Sequence, residues 1–580
     1  MNLPSASSPR EAAPNPAEAA PNPAEAAPNP RDRWTYVGLS AFLILLWFAT
    51  LSLRPLFNPD EGRYAEIPRE MLSGADWVIP HLNGLAYIEK PPLQYWATAL
   101  CLRLFGLSEF AARFYTACCA LATVLAVWLT ASRLWSLAAA WRAAAMLVSM
   151  LLFLVLGQLL TLDMSLTLYM TWALAGFLLA QCGARSRQES PGHEGSGHER
   201  RWMLVAWIAT ALGVLTKGLV AAVIPAAVLV LYSLYERDVA PWRRLHVASG
   251  LPLFLMITVP WHWLAARRLP DFLQFFFVHE HLARYLTPSA DREEPWWFFG
   301  VVFLLGSVPW TLSALRVMAR GGRRNAVRGE FNPTLFLWIW VWFVCVFFSL
   351  SDSKLIPYIL PAMPALALLI AALPADALRR DVLRTALLSV CAALALGLLC
   401  LYGPKLIAPS DRSVYFASLA KPLAQIAVLL AASGLYVMAQ RRRDVTRAAV
   451  FLGVGWCLSG LLLMRAAAAL APVYSGVELA RALPAPNDAP LYSIGTYDQT
   501  LPFYWRRTLE LVSYRGELDY GLQHDPSAEM ASVEQFVESW NREPGAYAVM
   551  EKKMFDDLKS RGVPMREVGR DANRVLVARQ

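Results

Sequence analysis

Long runs of apolar residues separated by short polar loops repeat along most of the chain. A membrane-spanning helix needs ~20 apolar residues, and on that basis about thirteen candidate spans can be placed. They lie near residues 34–53, 109–131, 141–158, 162–182, 203–217, 219–235, 245–262, 296–316, 334–350, 355–374, 385–402, 422–439 and 448–465. This pattern predicts an α-helical polytopic membrane protein whose spanning domain covers residues 34–465.

The basic loops give the predicted orientation. The segments "ARSRQ", "ERDVAPWRR", "RVMARGGRRNAVR", "LRRDVLR" and "QRRRDVTR" all fall on one side of the membrane under this assignment. Because Lys- and Arg-rich loops remain in the cytoplasm, that side is predicted to be cytoplasmic. An odd number of spans then places the C-terminal residues 466–580 on the outer side.

The two ends of the chain differ from the apolar middle. Residues 1–33 contain the Pro-rich heptad repeat "EAAPNPAEAAPNPAEAAPNP", which predicts a disordered cytoplasmic tail and no signal peptide. In residues 466–580, "APLYSIGTYDQTLPFYW" and "GAYAVMEKKMFDDLKSRG" predict strands alternating with short helices, and hence a small α/β domain. Residues 91–106 predict a helix at the membrane interface. Counting them as a further span would move every later loop to the other side of the membrane.

Composition narrows the classes of function. The chain is 56% hydrophobic and 17% charged, with a mean hydropathy of +0.38, which excludes an ordinary soluble enzyme. Its net charge of +9 is spread over loops between apolar segments, so no nucleic-acid partner is predicted. All eight cysteines lie in or beside apolar segments, which indicates neither disulfides nor a thiolate metal site.

Unusual polar residues concentrate in the segments predicted to lie outside, namely residues 54–108, 161–163, 263–295 and 351–354. In "NPDEGRYAEIPREM", Pro59 and Gly62 predict a turn. Four side chains are expected to be displayed on it: Asp60, Glu61, Arg63 and Tyr64. Asp60 is the strongest catalytic candidate, since ionisable groups at a membrane mark functional sites. The charges that follow are interpreted as one solvated, mutually paired helix: Glu66, Arg69 and Glu70.

Four further outer positions carry candidate chemistry. In "YIEKPPLQYW", Lys90 precedes a stiff Pro-Pro pair and suits a phosphate. Asp163 lies in a tight turn with no cation nearby in sequence, so a cation, a metal or a substrate amine should compensate it; the alternative is a helix cap. Lys354 and Tyr358, four residues apart, can both reach a phosphate, although Lys354 could equally extend towards the interface without a function.

The segment "FFFVHEHLARYLTP" supplies candidate metal ligands. His279 with Glu280, or His281 with Glu89, could contribute to a site for Zn, Mg or Mn. No spacing here is diagnostic of a metal, and hydrogen bonding to lipid headgroups is the alternative. Arg284 follows in the same segment.

Neither a Walker loop, a Rossmann glycine fingerprint nor a Gly-x-Ser-x-Gly elbow is present, so no nucleotide cofactor is predicted. Chemistry on the outer face has no ATP available, and an activated donor must arrive with its leaving group. A lipid-linked phosphosugar is such a donor.

The sequence resembles a known family at several motifs: "NPDEGRYAEIPREM", "GLAYIEKPPLQYW", "TLDMSLT", "LTKGLVA", "VHEHLARYL" and "SDSKLIPYILPAMPAL". These are similar to the polyprenyl-phosphate-dependent glycosyltransferases of the GT-C superfamily, most of all the lipid A aminoarabinose transferase (ArnT-like) branch. The resemblance implies transfer of 4-amino-4-deoxy-L-arabinose from undecaprenyl phosphate to lipid A phosphates on the periplasmic side of a bacterial inner membrane. It also implies lower negative charge on lipid A and resistance to polymyxin.

The resemblance also assigns roles to residues. The catalytic acidic positions are Asp60 and Asp163. The residues matching those that hold the donor phosphate are Lys90, Arg284 and Tyr358, and Lys354 is added on its position. The residues lining the site are Arg63, Tyr64 and Tyr87. Glu89 matches a position associated with a metal ion, and His281 is its candidate partner.

Two mechanistic points remain open. A lipid A phosphate is largely deprotonated at neutral pH, so Asp60 would orient the acceptor, stabilise positive charge or bind the sugar amine. A hydroxyl acceptor would instead require Asp60 as a base. A single displacement with inversion is favoured because no protein nucleophile is obvious.

The rival functions are a mannosyl or galacturonosyl transferase acting on protein or core oligosaccharide hydroxyls, and more remotely a transporter or lipid flippase.

Overall fold

The computed structural model describes residues 30–74, 76–183, 195–283, 294–322, 330–406, 411–440, 444–483 and 489–579. The Pro-rich repeat, residues 11–30, lies outside these ranges except for Pro30, the first residue of α1. Helices make up most of the described chain.

The helices follow the apolar segments of the sequence. The first half of the chain forms α1 (Pro30–Ala49), α2 (Asp60–Gly74), α3 (Leu93–Phe105), α4 (Glu109–Leu134), α5 (Leu137–Ser149), α6 (Leu151–Gly157), α7 (Leu162–Gly183), α8 (Gly195–Lys217), α9 (Val220–Glu236), α10 (Ala240–Arg243), α11 (Val247–Arg268) and a π-helix (Gln274–Ala283). The second half forms α12 (Phe298–Gly306), α13 (Thr311–Arg320), α14 (Pro333–Ser349), a 3₁₀ helix (Ile356–Ala362), α15 (Met363–Ala371), α16 (Ala375–Leu406), α17 (Asp411–Ala439) and α18 (Val445–Ala466).

Each of the predicted spans coincides with a helix or with two consecutive helices. Six described helices are long and apolar enough to cross a membrane, and α5 with α6, bent by 68°, would make a seventh. Three shorter apolar helices accompany them: Val220–Glu236, Pro333–Ser349 and Ile356–Ala371. The prediction of a polytopic helical membrane protein is therefore confirmed, while several spans are shorter or more broken than expected.

Backbone breaks explain the divided spans. The third predicted span is interrupted at Met150, whose backbone is extended between α5 and α6. Pro309 lies between α12 and α13, in the eighth span. The tenth begins as the 3₁₀ helix that contains Pro357 and Pro361. Proline has no N–H to donate, so a regular α-helix ends or tightens at these positions.

The segment after α1, which is predicted to lie outside the membrane, differs in structure from its prediction. The expectation of a displayed turn is wrong, because α2 begins at Asp60 and continues through Gly62. Glu61 to Met71 are all buried. Arg69 and Glu66 form the predicted ion pair, with Nη2 2.5 Å from Oε1, but it is buried rather than solvated. A helix with so many charges is buried because another domain packs on it.

A short hairpin follows α2. Strands β1 (His81–Leu82) and β2 (Leu85–Ala86) are antiparallel and are joined by Asn83 and Gly84, with φ of 57° and 77°. Positive φ at both central residues is typical of a two-residue hairpin turn, which Asn-Gly favours. The predicted helix at residues 91–106 is present as α3.

The C-terminal part is an α/β domain, as predicted. Its six strands are β3 (Leu491–Ile494), β4 (Glu510–Val512), β5 (Glu529–Met530), β6 (Tyr547–Glu551), β7 (Met565–Arg570) and β8 (Arg574–Arg579). They are ordered β5-β4-β3-β6-β8-β7, with parallel pairing from β5 to β6 and antiparallel pairing at β8 and β7. The helices are α19 (Ala471–Tyr474), α20 (Val477–Ala482), α21 (Leu501–Trp505), α22 (Asp519–His524), α23 (Val533–Arg542) and α24 (Lys552–Ser560).

This domain shares a hydrophobic core with α2 and the hairpin. Ile67 and Met71 of α2 and Leu82 of the hairpin lie in the same buried cluster as Leu501 and Phe503 of α21. Burying apolar area at this contact favours docking by roughly 25 cal/mol per Å². The domain therefore rests directly on the segment that carries Asp60.

Candidate active site

Asp60 lies at the first position of α2, where the helix N-terminus favours an acidic side chain. Its side chain is 46% exposed, and Oδ1 lies 3.8 Å from Nη2 of Arg63 one turn later. Asp60 is thus an accessible carboxylate held beside a cation. The neighbouring Glu61 is in contrast almost fully buried.

Glu61 is the centre of a buried hydrogen-bond network. Arg54 donates from Nη1 and Nη2 at 2.5 and 3.0 Å, and Arg113 from Nε and Nη2 at 2.7 and 2.9 Å. The backbone N–H groups of Phe57 and Leu160 each donate at 3.0 Å. Six hydrogen bonds from four residues, on three segments of the chain, therefore converge on one carboxylate.

The charges around Glu61 keep it ionised. Burial by itself raises the pKa of the Glu61 carboxyl, but the charges and hydrogen bonds of Arg113 and Arg54 outweigh it and bring the pKa below its ordinary value. Arg113 also donates to the carbonyl groups of Leu51, Arg54 and Pro55, each at 2.7 Å. The network consequently fixes the turn after α1 against α4.

Aromatic side chains form one wall of the site. Arg63 donates from Nη1 to the Tyr87 hydroxyl at 3.0 Å, and its guanidinium lies within 5.8 Å of the Tyr64 ring. Burial, followed by the charges of Asp60 and more weakly of Asp163, raises the pKa of the Tyr64 hydroxyl. The charges of Asp60 and Asp163 therefore both act on this tyrosine, although about a hundred residues separate the two acids in sequence.

Asp163 is compensated by a lysine that the sequence analysis did not assign. Lys217, at the C-terminal end of α8, lies with Nζ 2.5 Å from Oδ1 of Asp163 at the start of α7. Its ammonium is also 5.0 Å from the centre of the Tyr358 ring. The expected compensating cation thus comes from a distant part of the chain. The motif "LTKGLVA" carried the signal, since a lysine beside a glycine interrupts an otherwise apolar stretch.

Lys90 is surrounded by acidic groups. Its Nζ lies 2.9 Å from Oε2 of Glu280 and 3.9 Å from Oε2 of Glu89. Nδ1 of His279 is 3.6 Å from Oε1 of Glu280, although the His279 side chain is 62% exposed. The ion pair between Lys90 and Glu280 therefore connects the segment after the hairpin to the π-helix.

Lys354 and Tyr358 lie on the segment between α14 and α15. Lys354 is buried just before the 3₁₀ helix, and none of the described residues forms an ion pair with it. Tyr358 packs on Phe348 with ring centres 5.0 Å apart. A buried ammonium without a carboxylate partner is costly unless an anion approaches it.

Two predicted site residues cannot be placed. Arg284 lies outside the described residues, and the side chain of His281 is not described. Among the described residues, no group of three or more His, Cys, Asp or Glu side chains could hold a metal ion. The roles of Glu89 and His281 as metal ligands stay predictions.

The C-terminal domain reaches the start of α2. Asn58 donates from Nδ2 to Oδ2 of Asp498 at 2.5 Å, and its backbone N–H donates to the Tyr474 carbonyl at 2.7 Å. A Cβ on Gly62 would lie 2.4 Å from the Gln499 carbonyl carbon. Gly62 is therefore required for close approach rather than for a turn, and nothing near it in sequence indicates that Gln499 is its partner.

Carboxylates, lysines, an arginine and tyrosines thus gather where a helical membrane domain meets an α/β domain. Such a site can bind a phosphate-linked donor and stabilise a phosphate leaving group. The fold and the site are those of a polytopic membrane glycosyltransferase of the GT-C class.

Comparison with known proteins specifies the family. Residues 33–276 match the dolichyl-phosphate-mannose-protein mannosyltransferase family, and residues 479–579 match the aminoarabinose transferase C-terminal domain. The chain is 31% identical over 454 residues to the undecaprenyl phosphate-α-4-amino-4-deoxy-L-arabinose arabinosyl transferase of Aeromonas salmonicida, covering 77% of this chain and 76% of that protein. It is 30% identical over 522 residues to the Aeromonas hydrophila protein of the same name, covering 84% and 88%.

Solved structures agree with this assignment. The crystal structure of ArnT from Cupriavidus metallidurans bound to undecaprenyl phosphate is 32% identical, with a TM-score of 0.84, covering 94% of this chain and 98% of that one. The apo structure of the same protein gives 31% identity and a TM-score of 0.84, covering 95% and 98%. The chain belongs to the family of undecaprenyl phosphate-α-4-amino-4-deoxy-L-arabinose arabinosyl transferases.

Replacing Gly62 with alanine tests the contact between α2 and the C-terminal domain. Because the added methyl group meets backbone atoms of Gln499 and Thr500, we expect a loss of about 1–3 kcal/mol of stability and lower transferase activity. The measurement is thermal unfolding of the purified protein. Gly38→Ala is the control, since a Cβ there meets nothing within 4 Å. Equal unfolding temperatures for the two variants would contradict the prediction.

Proposed function

We propose that this protein transfers 4-amino-4-deoxy-L-arabinose from undecaprenyl phosphate to a phosphate group of lipid A. The observation that carries the proposal is the match of both domains: relatives with this activity in their names align over 84% of the chain, and an undecaprenyl-phosphate-bound structure matches 94% of it. The site supports it with carboxylates and cations suited to an amino sugar and a phosphate.

In the proposed reaction, an oxygen of the acceptor phosphate attacks the anomeric carbon of the sugar. The bond from that carbon to the donor phosphate oxygen breaks, and undecaprenyl phosphate leaves with the electron pair. No proton has to be removed from an acceptor phosphate that is already ionised. A single displacement of this kind inverts the anomeric centre.

Cations of the site would stabilise the leaving phosphate. Lys354 is buried and forms no ion pair with any described residue, and Lys90 is held by Glu280. Arg284 and Tyr358 are the further proposed ligands of the donor phosphate. Each well-placed donor contributes about 3 kcal/mol to transition-state stabilisation in comparable sites.

The two acids have different surroundings and therefore different proposed roles. Asp60 is accessible and lies beside Arg63, so it can orient the sugar amine or stabilise positive charge at the anomeric carbon. Asp163 is bound to Lys217, which fixes its side chain and holds the lysine beneath the Tyr358 ring. Arg63, Tyr64 and Tyr87 form the wall against which the sugar would pack.

The proposed location is the bacterial inner membrane, with the N-terminus in the cytoplasm and the C-terminal domain in the periplasm. The alternation of Arg-rich loops along the sequence supports this orientation. The site would then face the periplasm, where both lipid substrates are available.

A divalent metal ion at Glu89 and His281 is a separate part of the proposal. The described surroundings fit a metal poorly, because the Lys90 ammonium lies near the carboxylates of both Glu89 and Glu280. A lysine and a metal ion compete for the same oxygens, so no step of the transfer is assigned to a metal.

The metal prediction is tested by elemental analysis of the purified protein. If Glu89 and His281 are ligands, the Glu89→Gln and His281→Ala variants should contain less bound Zn, Mg or Mn than the wild type after the same dialysis. His198→Ala, in the first turns of α8, is the control. Unchanged metal content in all variants would rule out this site.

The transfer itself is tested by mass spectrometry of lipid A from a transferase-null Gram-negative strain that expresses the protein. We expect the wild type to add pentosamine to lipid A and Asp60→Asn to abolish the addition, because the accessible carboxylate is lost. Asp557→Asn is the matched control, since its side chain is 45% exposed but lies on the C-terminal domain away from the site.

Unmodified lipid A, with the wild-type protein present in the membrane, would overturn the aminoarabinose proposal. The match of residues 33–276 to mannosyltransferases would then favour a mannosyl or galacturonosyl transferase acting on hydroxyl acceptors, with Asp60 as the base.

A further inference from the structure

A cavity lies beside the C-terminal half of α2, away from Asp60 at the first position of that helix. It has a volume of about 510 Å³ and opens between the C-terminal half of α2, the hairpin and residues 506–508 of the C-terminal domain. Arg69, which lines it, is nine residues after Asp60 on α2, roughly 13 Å away at a helical rise of about 1.5 Å per residue. We call this cavity the arginine cleft.

The charged groups of the arginine cleft are mostly basic. Arg69, Arg506, Arg507 and His81 line it together with two acids. Arg69 is already paired with Glu66, so it contributes little free charge. The exposed Arg506 forms no ion pair with any described residue, whereas the half-buried Arg507 beside it interacts with the carboxylate of Glu510.

The two acids of the cleft do not cancel this charge. Asp76 is bound by Nη1 of Arg268 at 2.9 Å and accepts the backbone N–H groups of Val78 and Ile79. Burial and then the charge of Glu66 raise the pKa of Glu70 to about 8. At neutral pH the Glu70 carboxyl is therefore largely uncharged, and an anion entering the cleft meets net positive charge.

The walls of the cleft are held in place. Glu70 accepts the backbone N–H groups of Asn83 and Gly84 at 2.7 and 3.0 Å. The Asn83 side chain donates to the Leu509 carbonyl at 2.8 Å and accepts the Leu509 N–H at 2.7 Å. The hairpin turn is thus fixed between α2 and the C-terminal domain, which gives the cleft a preorganised floor.

Arg506 occupies a backbone conformation that favours glycine. Its φ is 58°, and it ends α21 by donating its N–H to the Pro502 carbonyl. Glycine is the usual residue at such a helix end, so an arginine here sacrifices local stability. Arg506 thus stands at the wall of the cleft in a backbone conformation that glycine could also adopt.

We propose that the arginine cleft binds an anionic group of the membrane glycolipid acceptor, a phosphate or a carboxylate, at a distance from the group that receives the sugar. This inference rests on the proposed function, because it assumes an acceptor with more than one anionic group. Arg506 supplies most of the charge. Arg69 donates from Nη1 to the Arg506 carbonyl at 3.3 Å, so Arg506 also lies well along α2 from Asp60, at a separation comparable with the length of a disaccharide. The cleft would position the acceptor so that its other phosphate reaches the site.

The test measures binding of glycolipids to the full-length purified protein by native mass spectrometry. The probes are bis-phosphorylated lipid A, monophosphorylated lipid A and inorganic phosphate. Arg506→Gly with Arg507→Gln should weaken binding of the bis-phosphorylated lipid by about tenfold or more and leave the monophosphorylated lipid nearly unaffected. Glycine suits the backbone at position 506, so this variant should keep its fold, which thermal unfolding checks.

Two further variants serve as controls for charge and for position. Arg506→Lys keeps the charge and should retain most of the binding. Arg542→Gln removes an exposed arginine of the C-terminal domain far from the cleft in sequence and should bind as the wild type does. Unchanged affinity of the Arg506 and Arg507 double variant for the bis-phosphorylated lipid would overturn the proposal. Loss of inorganic phosphate binding alone would also overturn it, and would show a site for a free anion.

The outcome separates this inference from the proposed function. Arginine-dependent binding of the bis-phosphorylated lipid, without any sugar transfer by the wild type, would refute the function and retain the cleft. Transfer to lipid A with equal affinity in wild type and double variant would retain the function and refute the cleft.

Discussion

The buried carboxylate of Glu61 is the interaction on which the site depends. An ionised group taken out of water is stable only when its charge and its hydrogen-bonding capacity are matched. Arg54 and Arg113 match the charge, and backbone groups of Phe57 and Leu160 complete the hydrogen bonds. This network therefore holds together four parts of the chain: the turn after α1, the start of α2, α4 and the turn before α7. Asp60 begins α2 and Asp163 follows the turn before α7, and the other two parts hold these segments in place.

The geometry of the two acids follows from this clamp. Asp60 precedes Glu61 directly, so fixing Glu61 fixes the first turn of α2. Leu160, whose N–H is bound by Glu61, lies three residues before Asp163. One carboxylate thereby sets the positions of both acids, while Lys217 fixes the Asp163 side chain from the opposite direction. The C-terminal domain closes the arrangement from outside by packing on Gly62 and binding Asn58.

Much of this could be predicted from the sequence because membranes impose simple rules. Span-length apolar segments, Arg-rich loops and the motif around Asp60 led to the helical membrane fold, the α/β domain and the glycosyltransferase family. Contacts between residues distant in sequence could not be predicted. Glu61 was expected on an exposed turn, since nothing near it in sequence announces Arg113. Lys217 was quoted in a motif but given no role, because its partner Asp163 lies more than fifty residues earlier.

Local sequence patterns also gave wrong predictions of exposure and turn structure at positions where another domain packs on the segment. Pro59 and Gly62 are ordinary turn residues, yet here the proline precedes a helix and the glycine admits the backbone of Gln499. The charges of Glu66 and Arg69 pair as helical spacing predicts, but the docked domain buries them. Burial by a distant domain is the property that a single sequence conveys least.

The most direct measurement for the account is the transferase rate of purified Glu61→Gln protein together with its unfolding temperature. Losing the charge leaves Arg54 and Arg113 buried without their partner, which costs about 3–5 kcal/mol. We therefore expect a lower unfolding temperature and a transfer rate reduced by about a hundredfold or more. Glu538→Gln, whose side chain is 71% exposed, should match the wild type in both respects. Wild-type rate and stability in Glu61→Gln would contradict the claim that this carboxylate organises the site.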